Sequence, residues 1–206
     1  MSARGRSIAS RCCLVAVIAL TGLIATANGR AHDFTETRRL VLSVGERQVE
    51  LLVAYELRPS PLAEALRAQF DADHDDVIDT AWERLARSRV MLPRLHRGLA
   101  VEVDGRRLSF YLERLDFPVA PVERGRPGLS ALALFRAEMP GPAAPVRRIR
   151  LRGGDPPGLV IVEAQAEEGL TLRSDSLPHR PGDPVLGPAV LKLRGVIELT
   201  VEPESR

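Results

Sequence analysis

"RRLVLSVGERQVELLVAYEL", residues 38–57, carries side chains that alternate along the chain on both sides of a short turn. Leu40, Leu42 and Val44 share one parity, while Arg39, Val41 and Ser43 share the other. After Gly45-Glu46-Arg47, Val49, Leu51, Val53 and Tyr55 again fall on one face. A period of two is the signature of a strand with one buried face, so the stretch predicts two neighbouring strands.

The same pattern recurs along the chain. In "LAVEVDGRRLSFYLERL", residues 99–115, Leu99, Val101 and Val103 alternate. Asp104-Gly105 then supplies the positive φ of a two-residue turn, and Leu108, Phe110 and Leu112 answer on the return strand. Later candidates are "SALALFRAEM", "VRRIRLRG", "GLVIVEAQA", "GLTLRSD" and "AVLKLRGVIELTVE", set apart by Pro- and Gly-rich connectors. About eight short strands at this spacing predict a mainly β fold, an antiparallel, Ig-like β-sandwich.

Residues 59–93 depart from the β pattern. Ser60 is a helix N-cap and Pro61 occupies the first helical position, where its missing N–H costs nothing. Leu62, Leu66 and Phe70 follow as one apolar stripe. A second helix is expected in "TAWERLARSRVML", with Trp82, Leu85 and Leu92 on its apolar side and Pro93 as its stop. Between the two lies "DADHDDVIDTAWE", residues 71–83, an acidic stretch in which Asp71, Asp73 and Asp75 alternate. The whole reads as an inserted, EF-hand-like helix-loop-helix.

Calcium is a hard cation that takes six to eight oxygens, and a 12-residue EF-hand loop supplies them from fixed positions. With Asp71 at position 1, Asp73 and Asp75 fall at the next two side-chain positions. Val77 offers its carbonyl, Ile78 is the usual apolar plug, and Asp79 can bind directly or through water. Two positions depart from the pattern: Asp76 replaces the turn glycine, and Trp82 stands where a bidentate Glu belongs. Glu83 follows one place late, and Thr80-Ala81-Trp82-Glu83 also fits a capping box. Glu83 is therefore either a metal ligand or a helix cap. The predicted calcium set is Asp71, Asp73, Asp75, Val77, Asp79 and Glu83, with weak binding.

The N-terminus has a tripartite form. Arg4, Arg6 and Arg11 precede an apolar run from Cys12 to Ala27 that ends in small residues, with a second exit at Ala31. Residues 1–27 thus read as a secretory signal peptide, leaving 28–206 as a single domain in the periplasm or outside the cell. Removing three arginines takes the formal charge from +2 to −1. Both cysteines, Cys12 and Cys13, leave with that segment, so no disulfide is expected. No basic stripe with interleaved aromatics suggests nucleic acid. After residue 27 no apolar run reaches the length of a membrane helix. The histidines His32, His74, His96 and His179 are scattered, and no G-x-S-x-G or H-E-x-x-H is present, so no enzyme is expected.

"AHDF" at 31–34, then a strand pair, the helix-loop-helix, "GLAVEVDGRRLSFYL" and "GLVIVEAQAEEGLTLRSDSLP" follow one another in order. This order resembles the extracytoplasmic N-terminal region of bacterial membrane proteins of the HupE/UreJ-like group, over most of residues 31–190. The resemblance implies the domain and its EF-hand-like insertion. It links the group to nickel or cobalt handling through a membrane part that has no counterpart here. The alternative reading is an envelope accessory module whose loop is vestigial and whose partner is another envelope protein.

Overall fold

A computed structural model describes residues 35–204, apart from residues 74, 76, 79, 121, 124, 142–145, 154–157, 180–182 and 192–193. The expected signal peptide therefore lies outside the described residues.

Among the described residues the chain is mainly β, with two helices. β1 (Glu36–Val44) and β2 (Gln48–Leu57) form the predicted antiparallel pair. Helices α1 (Pro61–Arg67) and α2 (Ala81–His96) follow. Next come β3 (Leu99–Val103), β4 (Arg106–Arg107), β5 (Tyr111–Asp116) and the short β6 (Val122–Glu123) and β7 (Arg126–Pro127). β8 (Leu129–Glu138), β9 (Arg147–Gly153), β10 (Leu159–Ala166), β11 (Leu170–Arg173), β12 (Val185–Val190) and β13 (Val196–Pro203) complete the series.

One sheet has the order β12-β10-β1-β2-β8-β5, a second has β11-β13-β9-β3-β4, and β6 pairs only with β7. Among the described residues all strand pairings are antiparallel except β1 with β10, which is parallel. This differs from the wholly antiparallel expectation. Both faces of a strand read alike whichever way its neighbour runs, so local alternation carries no sign of direction.

Strict alternation places Leu40, Leu42, Val49, Leu51, Val53, Ala133 and Phe135 inward from the first sheet. Val101, Val103, Ile149, Leu151, Ile197 and Leu199 do the same from the second, and all belong to one apolar cluster. Each of these side chains larger than alanine stabilises the fold by roughly 1.5–3 kcal/mol on full burial.

The predicted hairpin forms only in part. Asp104 and Gly105 both have positive φ, 50° and 77°, as a two-residue turn requires. The return strand, however, is just Arg106–Arg107. The chain then leaves for the other sheet, where Tyr111–Asp116 pairs with β8 as an edge strand.

Candidate metal centre

The insertion begins as the sequence dictates. The Ser60 hydroxyl oxygen accepts from the Ala63 amide at 3.2 Å, and Pro61 opens α1. The buried stripe is Ala63, Leu66 and Phe70, while Leu62 is exposed. Single-turn hydrogen bonds carry the chain past Arg67. The Phe70 and Asp71 amides both donate to the Arg67 carbonyl at 2.9 Å. Buried Phe70 thus anchors the start of the acidic loop.

α2 starts on a complete capping box. The Thr80 hydroxyl oxygen accepts from the Glu83 amide at 3.1 Å, and Glu83 Oε2 accepts from the Thr80 amide at 3.2 Å. The other carboxylate oxygen, Oε1, accepts from the Ala72 amide at 3.1 Å, across the loop. One side chain therefore fixes both the beginning of α2 and the beginning of the loop.

The second helix corrects two expectations. It does not stop at Pro93 but runs to His96. Pro93 is exposed, and it lacks the N–H that would donate to the carbonyl one turn back. Nor are Trp82 and Leu85 on the buried side: they are 63% and 45% exposed. The buried positions are Glu83, Met91 and Leu95, with Ala86, Val90 and Leu92 partly covered. The capping box fixes the rotation of the helix, turning Glu83 inward and its neighbour Trp82 outward.

Two further contacts hold α2 in place. Arg87 donates to the Ser130 carbonyl at 3.2 Å, and its guanidinium lies 4.2 Å from the Phe117 ring centroid and 5.9 Å from that of Phe70. Burial, then the charge of Arg67, lowers the Arg87 pKa to about 10, which leaves it charged at neutral pH. At the far end, fully buried Arg38 on β1 donates to the Arg97 carbonyl at 2.8 Å and to the Arg94 carbonyl at 3.3 Å. These are orphan acceptors at the helix C-terminus, where a cation also suits the dipole. Glu36 lies beside them, with Oε2 at 3.8 Å from Arg94 Nη1. Burial raises the Glu36 carboxyl, an effect that Arg38, Arg94 and Arg97 oppose.

Asp71, Asp73 and Glu83 converge: each offers a carboxylate oxygen within 4.8 Å of the others. Oxygens bound to one calcium at 2.3–2.6 Å lie no more than roughly 5 Å apart, so the three fit a shared ion. Asp71 and Glu83 are 4% and 2% exposed, whereas Asp73 is open to solvent. The Asp75 amide pulls the Asp73 carboxyl down. Desolvation and the charges of Asp75, Glu83 and Asp71 push it further up, and the net position is above its ordinary value.

The remaining predicted ligands are placed differently. Asp75 is exposed, accepts from the Val77 amide at 2.7 Å, and does not join the convergent group. Val77 is exposed, and Ile78 packs partly against the core as the expected plug. Asp79, with His74 and Asp76, lies outside the described residues.

The buried Glu36–Arg38 pair escaped the sequence reading, although its signal was present. Both residues share parity with Leu40, Leu42 and Val44, which places them on the core face. No family model matches the chain, and no curated protein matches it either. No helix among the described residues is long and apolar enough to cross a membrane.

Proposed function

We propose that the protein is an exported, non-enzymatic calcium-binding domain. In this reading it is an Ig-like β-sandwich carrying one degenerate, EF-hand-like helix-loop-helix between β2 and β3. The observation that carries the reading is the convergence of Asp71, Asp73 and Glu83, drawn from both ends of the loop, within 4.8 Å. Three like charges in one place repel each other, and a hard divalent cation is the partner that relieves this.

Glu83 takes the part that position 12 plays in a regular hand, one residue late, and combines it with capping α2. Oε2 accepts from both the amide and the hydroxyl of Thr80, so Oε1, which accepts from the Ala72 amide, is the oxygen that would turn a lone pair to the ion. The convergent donors are all oxygens, which favours calcium over the nickel or cobalt that the HupE/UreJ-like resemblance would suggest. Three carboxylates fall short of the preferred coordination number, so carbonyls and water complete the shell. Binding then falls in the range of extracellular modules, roughly 10⁻⁴–10⁻³ M. That range suits the calcium-rich compartment to which the N-terminal segment would deliver the protein.

Calorimetric titration of the purified protein with calcium tests this reading. A single site lost on Asp73→Ala is expected. Equal, negligible heats from both proteins would leave the loop as a vestigial element of an envelope accessory module.

A further inference from the structure

The C-terminal end of α2 overhangs one end of the second sheet. There β3 begins at Leu99, β9 ends at Gly153 and β13 begins at Val196. Between helix and sheet lies an open cleft of about 490 Å³. Among the described residues its walls carry Arg97, Arg107, Arg152, Arg194 and His96, and no acidic side chain.

The strand register explains how the cleft comes to be cationic. Across the outer face of this sheet, Arg150 stands between Glu102 and Glu198, an acid on either side. One row nearer the cleft, Arg152 stands between Ala100 and Val196. The alternation of charge stops where the cleft begins. Glu102 reaches diagonally to Arg152 at 3.1 Å, while Arg97, Arg107 and Arg194 form no salt bridge among the described residues. Glu36 also lies near Arg97, but it is buried and faces Arg38 and Arg94 as well.

Two further features favour an anion here. A helix C-terminus ordinarily presents partial negative charge, yet Arg38 donates to the Arg94 and Arg97 carbonyls from below. In addition, Arg194 holds a left-handed backbone, φ 54°, immediately before Gly195. Glycine adopts that conformation without strain, so the turn alone gives no reason for an arginine.

We propose that this cleft binds a small, multiply charged phosphate-type oxyanion, held by Arg97, Arg107, Arg152 and Arg194. A guanidinium matches a phosphate with two parallel N–H donors, and a diphosphate presents enough oxygens for several such forks around one cavity. A dicarboxylate, with two planar ends, engages fewer of them. The site is separate from the acidic loop and does not depend on calcium binding there.

Calorimetric titration with inorganic pyrophosphate in low-chloride buffer is the test. One-to-one binding is expected, weakened about tenfold or more by Arg152→Ala and by Arg194→Gly, the latter leaving the turn unstrained. Arg148→Ala removes the same charge from the outer face beyond the cleft and should leave affinity unchanged. Loss of affinity in Arg148→Ala equal to that in the cleft variants would overturn the site, as would tighter binding of succinate than of pyrophosphate, or no binding. Vesicles containing phosphatidic acid distinguish the source of the phosphate. Vesicle binding displaced by pyrophosphate supports a lipid-borne phosphate in this cleft, absence of vesicle binding supports a free one, and vesicle binding that pyrophosphate does not displace overturns the assignment.

Discussion

Glu83 holds Thr80 twice: Oε2 accepts from the Thr80 hydroxyl at 2.8 Å and from its amide at 3.2 Å. The Thr80 oxygen accepts in return from the Glu83 amide. Because the same carboxylate faces Asp71 and Asp73, the helix cap and the candidate metal centre share one side chain. Thr80→Ala should destabilise the protein by about 1 kcal/mol, the usual cost of a lost N-cap. It should also weaken calcium binding, since Glu83 loses the hydroxyl that fixes its rotamer. Thr80→Ser should preserve both, and urea unfolding with and without calcium would show it.

Asp73 is exposed and sits among like charges, so its removal should not damage the apo protein. Asp73→Ala should unfold no earlier than wild type in chelator, yet gain no thermal stability from added calcium. The wild type should gain by mass action as calcium rises above its dissociation constant. A calcium-dependent rise in melting temperature that survives Asp73→Ala would remove this residue from the site.

Arg38 and Glu36 are buried at the base of α2. Arg38→Met should cost about 3–5 kcal/mol, because it removes one of the buried charges that face Glu36, leaving it Arg94, and strips two helix carbonyls of their donor. The double variant Arg38→Met with Glu36→Gln should recover part of that loss. Denaturant midpoints of the two variants decide the point: a double variant less stable than Arg38→Met alone would contradict the account.

Much of this architecture was legible beforehand, and the losses have physical causes. The period of two gave β1 and β2, and Asp104-Gly105 gave the turn after β3. The same alternation could not announce the parallel partner of β1, because β10 lies far along the chain and pairing direction leaves no local trace. In α2, Trp82, Leu85 and Leu92 looked like the apolar face because hydrophobicity was weighed without the cap. The Thr80–Glu83 box sets the rotation: Met91 and Leu95 are buried and Leu92 partly covered, while Trp82 and Leu85 face out. At the acidic loop the spacing pointed to Asp71, Asp73, Asp75, Val77 and Asp79, with Glu83 one place late and open between ligand and cap; of these, Asp71, Asp73 and Glu83 come together. The two Glu83 oxygens divide between these tasks: Oε2 caps Thr80, and Oε1 reaches across the loop to Ala72.

Tyr55 should set the alkaline limit. Burial first, and then the charge of Glu36, raises its hydroxyl from 10.0 to about 12. An acid whose folded pKa is raised binds its proton more tightly in the folded state. The stability this gives is complete below pH 10 and is lost as pH rises to about 12. Tyr55→Phe should therefore lose less stability than wild type across that interval. Parallel declines in the urea midpoints of the two proteins would show that another group sets the limit.

Trp82 separates an EF-hand register from the one seen here. In a regular hand its position carries the bidentate carboxylate, so Trp82→Glu would be expected to tighten calcium binding. In the folded protein the Trp82 side chain is 63% exposed, and the inward-facing acid is already Glu83. A glutamate placed at residue 82 would point to solvent while the capping box holds. Trp82→Glu should accordingly change stability by no more than about 0.5 kcal/mol, the range of surface substitutions. It should leave calcium affinity near that of wild type, apart from a small long-range gain from the added charge that salt removes. Adding Glu83→Gln separates the two registers. Gln can still cap Thr80, so the double variant should fold and yet bind calcium far more weakly than Trp82→Glu alone. Strong binding by the double variant would mean that the loop had shifted by one residue and that residue 82, not 83, faces the ion.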